Sequence, residues 1–286
     1  YYKQFHKRYG DFKMTVRIEK QENIWTIIHS RPEARNAMDP ESADKLYEAF
    51  IEFENSKDAD VAVFWGEGGA FCAGWDLKYA SSLKGSSPLA FLDIPKNRND
   101  YENGSDIPRG PLGPSRLELS KPVIGAISGP AVAGGMELAL WCDFRIMERS
   151  SYLGVYCRRW GIPLLDGGTV RLPRIVGQGR ALEILLTGRK VMSDECLNIG
   201  LCEYVVEDGY SRKKAEDIAK TIARFPQECV RADRKSIMKQ NNLNVKEGLL
   251  YEWNNSMSNK ILSKEGINGA DRFSKGRGRH GSFKDI

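Results

Sequence analysis

The chain has 286 residues, of which 41% are hydrophobic and 28% charged. That is long enough for one large domain with a sizeable core and ordinary for a globular protein, and no apolar run approaches the ~20 residues of a membrane-spanning helix. Its 43 Lys+Arg against 38 Asp+Glu give a formal charge of +5, gathered partly at the two ends, a balance that suits a phosphorylated ligand or plain solvated surface without deciding between them. Six cysteines, at 72, 142, 157, 196, 202 and 229, have no C-x-x-C spacing and several lie in apolar segments, which fits free thiols in a reducing compartment.

Residues 1–13 precede Met14 and read as a basic, aromatic N-terminal extension of the kind a leader leaves, so the expected location is mitochondrial or cytoplasmic. Thr15–Glu19 and Ile24–His29 read as strands about a polar turn. Asp39 is placed to cap a helix that has Pro40 at its first position, runs to about Ser56, and sets Leu46, Ala49, Phe50 and Phe53 on one face. Val61–Trp65 is a continuous apolar strand, buried on both sides. Residues 81–120 are rich in Ser, Pro, Gly and Asn and read as a long mobile loop with one helical turn at 88–93. Strands are expected at 121–127, 144–147, 152–155 and 201–206. Gly129–Gly135 is a turn and Met136–Cys142 a helix. Further helices fall at 167–172, 179–186 (capped by Gly188), 211–225, 227–240 and 245–262.

The unit of strand, glycine-bearing turn, helix and strand thus occurs twice, at 61–79 and at 123–147. The turns read Ala70-Phe-Cys-Ala-Gly-Trp-Asp-Leu-Lys78 and Ser128-Gly-Pro-Ala-Val-Ala-Gly-Gly-Met-Glu137. The first N–H groups of a helix have no internal partner and sit at the positive end of its dipole. Two such turns side by side can aim two donors at one oxygen, as the enolate of a thioester requires. Losing one such donor typically raises a barrier by roughly 2.7–4 kcal/mol.

These residues resemble the crotonase (enoyl-CoA hydratase/isomerase) superfamily. The matching stretches are SRPEARNAMD at 30–39, AFCAGWDL at 70–77, KPVIGAISGPAVAGGMELALWCDFRI at 121–146, WGIPLLDGGTVRLPRIVG at 160–177, ALEILLTGR at 181–189 and the tail at 265–283. The resemblance implies an α/β fold, a superhelical β-β-α core over 14–207, and a helical C-terminal region over 208–286 that assembles trimers or hexamers. It implies an acyl-CoA thioester as substrate, with coenzyme A entering only as part of it, and no metal or separate cofactor. It assigns the oxyanion donors to the backbone N–H groups of Trp75 and Gly134. Coenzyme A contacts fall on Arg31, Ala34, Arg35, Ala37, Ala73, Trp75, Asp76, Leu77, Lys78 and Phe273. The side chains of Lys78 and Phe273 equally suit ordinary surface and packing roles.

Glu137 lies three residues after Gly134 in an otherwise apolar helix and matches the first catalytic acid of the hydratases. A buried acid costs several kcal/mol unless it is partnered. The second acid of the hydratases should fall in Gly154–Trp160, where there is none; Tyr156, Cys157 or Arg158 fills its place. Asp166, beside Gly167-Gly168-Thr169, is the replacement, and it equally suits an N-cap for the following helix. Arg158 and Arg159 read as surface arginines, one of which could reach the acyl pocket and meet a carboxylate. Hydration of a 2-enoyl-CoA is the leading expectation and double-bond isomerisation the alternative. A member that binds CoA or RNA without catalysis is a third reading. For RNA the candidate residues are Lys213, Lys214, Arg231, Arg234, Lys235 and Lys239.

Overall fold

The computed structural model describes residues 14–95, 107–258 and 260–283; the extension expected at 1–13 lies outside them. Strands β1 (Val16–Gln21), β2 (Ile24–His29), β3 (Val61–Gly66), β4 (Val123–Ile127), β6 (Phe144–Glu148) and β9 (Tyr204–Val206) form a six-stranded sheet in the order β1-β2-β3-β4-β6-β9. Only the β1–β2 hairpin is antiparallel. A second sheet joins β5 (Pro130–Val132), β7 (Tyr152–Gly154) and β8 (Lys190–Met192). The chain passes from the large sheet to the small one and back through a helix: β4, β5, α3 (Gly134–Trp141), then β6, β7. The preceding turn repeats this path, because Cys72 bridges Ala131 in parallel between β3 and α2 (Leu77–Ser82). This is the β-β-α superhelix of the crotonase fold.

Helix α1 (Pro40–Asn55) starts as the sequence dictates, with the Asp39 carboxylate accepting the Ser42 N–H and Pro40 at the first position. Its buried face carries Leu46, Ala49, Phe50 and Phe53. Phe50 stacks edge-on against Phe64 of β3 and Trp141 of α3, at ring separations of 5.5 and 4.8 Å. The other face of the sheet is covered by α7 (Ser211–Ala223), whose Ala215 and Ala219 pack with Ile24, Val61, Val63, Ile124 and Ile146. Although it falls within the assembly region expected at 208–286, α7 is part of the core for that reason. Beyond it lie α8 (Gln227–Lys239), α9 (Val245–Ser258) and α10 (Ile267–Ser274).

Three expectations are corrected. The turn at 129–135 contains strand β5, which three residues of ladder to β7 define and no apolar alternation could announce. Strand β8 is one that the sequence does not announce, and it too is three residues long. Of the loop expected at 81–120, residues 96–106 lie outside the described residues, and residues 107–116 are held in place by paired Gly110–Gly113 backbone bonds and by Arg116 donating to Leu92 O at 2.7 Å. One helical turn does form there, at Ala90–Leu92.

The candidate RNA surface is largely neutralised. Arg231 pairs with Asp60, Arg234 with Asp143, Lys213 with Asp217 and Lys239 with Glu118. Among the described residues no helix is long and apolar enough to cross a membrane. Because Phe50 joins α1 to both β3 and α3, Phe50→Ala should cost about 3–5 kcal/mol, read as the loss of unfolding free energy in urea.

Candidate active site

Phe71 and Cys72 donate to Pro130 O at 3.0 and 3.2 Å, and Val132 donates back to Cys72 O at 3.0 Å. This fixes the two glycine-bearing turns in register, so Trp75 and Gly134 each stand three residues beyond the bridged pair Cys72 and Ala131. The turns touch. A Cβ on Gly74 would lie 3.0 Å from Gly134 N and 2.8 Å from the Ala133 Cβ, so only glycine permits the approach. Trp75 is bridged to Met38 on its other side. Met38 donates to Gly74 O and Asp76 donates to Met38 O, at 2.7 and 2.9 Å. In extended backbone, neighbouring residues direct their N–H groups to opposite edges, so the Trp75 N–H faces away from Met38 and toward the second turn. Gly134 is the first residue of α3, and its N–H has no partner within the helix. Ala133 before it takes φ 54° and ψ −126°, a left-handed conformation costly for a residue with a Cβ and of a kind that gathers at functional sites.

Trp75 and Gly134 line a cavity of about 440 Å³ together with Glu137 and Asp166. Leu112, Val132, Tyr156, Ile162 and Leu165 make most of its wall apolar. Glu137, 2% exposed, sits in the first turn of α3 and against the start of α4 (Gly168–Val176). Its Oε1 accepts N–H bonds from Asp166 at 2.9 Å and Gly168 at 2.8 Å. A Cβ on Gly168 would come within 3.1 Å of that oxygen. Burial first, and then the Asp166 charge, raise the Glu137 carboxyl to about 7, against the lowering effect of the backbone donors.

Asp166 is equally buried and does not cap α4, whose N-cap is Gly167 at φ 97°. The N-cap reading fails because the carboxylate turns the other way: its Oδ1 accepts the Leu112 N–H at 3.0 Å and the Ser115 hydroxyl. It is Glu137 that takes a free N–H at the start of α4. Burial raises the Asp166 carboxyl above the ordinary range, opposed first by the Ser115 bond. Arg171 of α4 donates to Asp166 O and Ser115 O at 2.8 and 2.7 Å, fixing the two loops to each other. Sequence reading missed Leu112 and Ser115 as partners of the site. Their only signal was the Pro- and Gly-rich run at 108–114, a composition shared by ordinary loops.

Of the remaining expected contacts, Arg35, Ala73, Trp75 and Leu77 line the cavity. Arg31 and Asp76 are engaged with each other: Arg31 donates to Asp76 at 3.1 Å and to Ala37 O at 2.5 Å, and Asp76 caps α2. They shape the loop. Asn36, which sequence reading passed over, is fully buried and ties that loop to Glu67 O and Ala70 O at 2.8 and 2.6 Å. Ala34 and Ala37 belong to the same turn. Lys78 is exposed, and Phe273, 60% exposed in α10, is not among the residues lining the cavity. Tyr156 and Cys157 reach the cavity and Arg158 does not, its Nε donating instead to Leu185 O.

Comparison with known proteins gives the family of the chain. A family model described as enoyl-CoA hydratase/isomerase matches residues 19–278. Enoyl-CoA hydratase EchA19 of Mycobacterium tuberculosis is 31% identical over 77% of this chain and 79% of its own. A short-chain-enoyl-CoA hydratase of Clostridium acetobutylicum is 30% identical over 83% of this chain and 86% of its own. The crystal structure of an enoyl-CoA hydratase from Bacillus anthracis superposes with a TM-score of 0.79 at 28% identity, covering 92% of this chain and 97% of that one. A chain matched over nearly its whole length in sequence and in fold belongs to the enoyl-CoA hydratase/isomerase family and is an enzyme of that type.

Proposed function

We propose that the chain hydrates a 2-enoyl-CoA to a 3-hydroxyacyl-CoA, using Glu137 and Asp166 as its two acids. The observation that carries this reading is the pair itself: two buried carboxyl groups, both raised, share one apolar cavity with the N–H groups of Trp75 and Gly134. The thioester carbonyl would accept both N–H groups. Ionised Glu137 would take a proton from water as its oxygen adds at Cβ. Negative charge would gather on the thioester oxygen, where the two donors are already in place and need no reorganisation. The two carboxyls would share one proton, and in the form in which Asp166 holds it Asp166 would deliver it to Cα, each positioned acid or base contributing roughly 10²–10⁴-fold. Coenzyme A would run along the loop of Arg31, Ala34, Arg35 and Ala37 and past Ala73, Asp76, Leu77 and Lys78.

A second reading has support in one feature. The Ser115 and Leu112 bonds to Asp166 favour its ionised form. With Asp166 ionised, Glu137 would be the single proton carrier between Cα and Cγ, and the product would be a shifted double bond. Product mass separates the two, since hydration of crotonyl-CoA adds one water and isomerisation of a 3-enoyl-CoA adds nothing.

The C-terminal helices favour self-association as a trimer or hexamer. Leu249, Leu250 and Trp253 of α9 are 60, 61 and 65% exposed, and Ile267 of α10 is 60% exposed. An apolar row of this size marks an interaction face, and a Phe273 carried on α10 could reach a neighbouring subunit's nucleotide. Trp253→Glu should shift the protein to a smaller species in sedimentation velocity, while a variant that sediments as the wild type does would remove this face from assembly.

Glu137→Gln keeps an oxygen that accepts the Asp166 and Gly168 N–H groups and removes the acid. Turnover of crotonyl-CoA should fall by roughly 10²–10⁴-fold, and full retention would exclude the role given to Glu137. The same variant tests the electrostatics. A carboxyl at 4.5 when unfolded and about 7 when folded holds its proton longer in the native state. Its burial is therefore free of charge cost at low pH, and stability is lost as pH rises through the folded value. Above pH 7 the variant should be the more stable by on the order of 3 kcal/mol, with the difference closing toward pH 4. Urea unfolding at pH 5 and pH 8 measures it, and a difference independent of pH would contradict the buried charge.

A further inference from the structure

The segment Tyr156–Trp160 forms a wall of the cavity that holds Glu137 and Asp166, and it carries Arg159 to that wall. The guanidinium lies over the Tyr156 ring at 4.4 Å and 6.0 Å from the Trp160 ring. Its one hydrogen bond among the described residues is long, from Nε to Tyr156 O at 3.5 Å, and no Asp or Glu among them pairs with it. Stacking holds the plane of an arginine while leaving its edge N–H groups open, the arrangement that grips a carboxylate with two parallel bonds.

Two neighbouring cations are already committed. Arg158 turns to Leu185 O, and Arg171 is held by the carbonyls of Asp166 and Ser115. Arg35, the other cation of the lining, has only its main-chain oxygen engaged there, by the Ala73 N–H; it stands on the loop along which coenzyme A would run, whereas Arg159 stands on the wall of Tyr156 and Cys157. The Arg159 wall lies near the reacting groups. Cys157 on the same segment is raised by burial first and then by the charge of Glu137. A second carboxylate entering this cavity would be repelled by Glu137 and Asp166 unless a cation received it.

We propose that Arg159 receives a free carboxylate at the far end of the acyl chain, so that the preferred substrates are CoA monothioesters of dicarboxylic acids. This rests on the acyl-CoA reading above. Saturated esters, which cannot be hydrated, test it by binding alone. Glutaryl- and adipoyl-CoA are to be compared with pentanoyl- and hexanoyl-CoA by isothermal titration calorimetry, on the wild type and Arg159→Gln. The wild type should bind the carboxylate-bearing ester of each length more tightly. Arg159→Gln should weaken those esters roughly 10- to 100-fold and change the neutral ones far less, and Arg159→Lys should restore part of the preference. A wild type without preference overturns the proposal. So does a variant that weakens all four equally, which would assign Arg159 to the phosphates of CoA. Failure of the wild type to bind any of the four would instead overturn the acyl-CoA reading itself.

Discussion

The parallel pairing of Cys72 with Ala131 is the constraint on which the site depends. It belongs to neither turn alone. By aligning two separately encoded turns at one offset, it brings Trp75 and Gly134 to the wall of the same cavity. The small sheet exists to hold this register: β5 hydrogen-bonds to Cys72 on one edge and to β7 on the other, and the large sheet beneath supplies the apolar foundation through Phe64 and Phe71. A slip of one residue would separate the two donors and reverse every side chain along the strand.

Around that pairing the electrostatics are opposed rather than relaxed. Two carboxyl groups buried side by side are costly, and the fold tolerates them by giving each a different set of partners. Glu137 receives main-chain N–H groups from the start of α4, and Asp166 receives Leu112 and Ser115 from the loop opposite. Arg171 then closes the two loops behind them. Unequal environments drive two similar acids toward different protonation, which is what a reaction needing one base and one acid requires.

Much of this was legible in sequence. Asp39-Pro40 announced α1, apolar runs announced β3 and β4, and the paired turns announced that Trp75 and Gly134 would lie close together. What was hidden were features made by contact. Three-residue strands such as β5 and β8 have no periodicity to read. Asp166 ahead of Gly167-Gly168 looks like a helix cap, and only the arrival of residues 110–115, more than 50 positions earlier, turns it elsewhere. Local sequence also does not reveal that the side chains of Arg31 and Asp76 bind each other and so shape the loop that carries them. Gly74 and Gly168 leave room for the partner that closes on them, a fit that only the assembled fold displays.

The main-chain cradle of Glu137 has a consequence for how the protein can change. Its orienting bonds come from peptide N–H groups, which survive almost any substitution that preserves the backbone. The side chains of Tyr156, Cys157, Arg159, Trp160, Ile162 and Leu165 make no part of that cradle, although they line the cavity. Chemistry and substrate choice are therefore written in separable parts of the chain. A lineage could rewrite the pocket repeatedly, by drift or by selection, without first dismantling the reacting group.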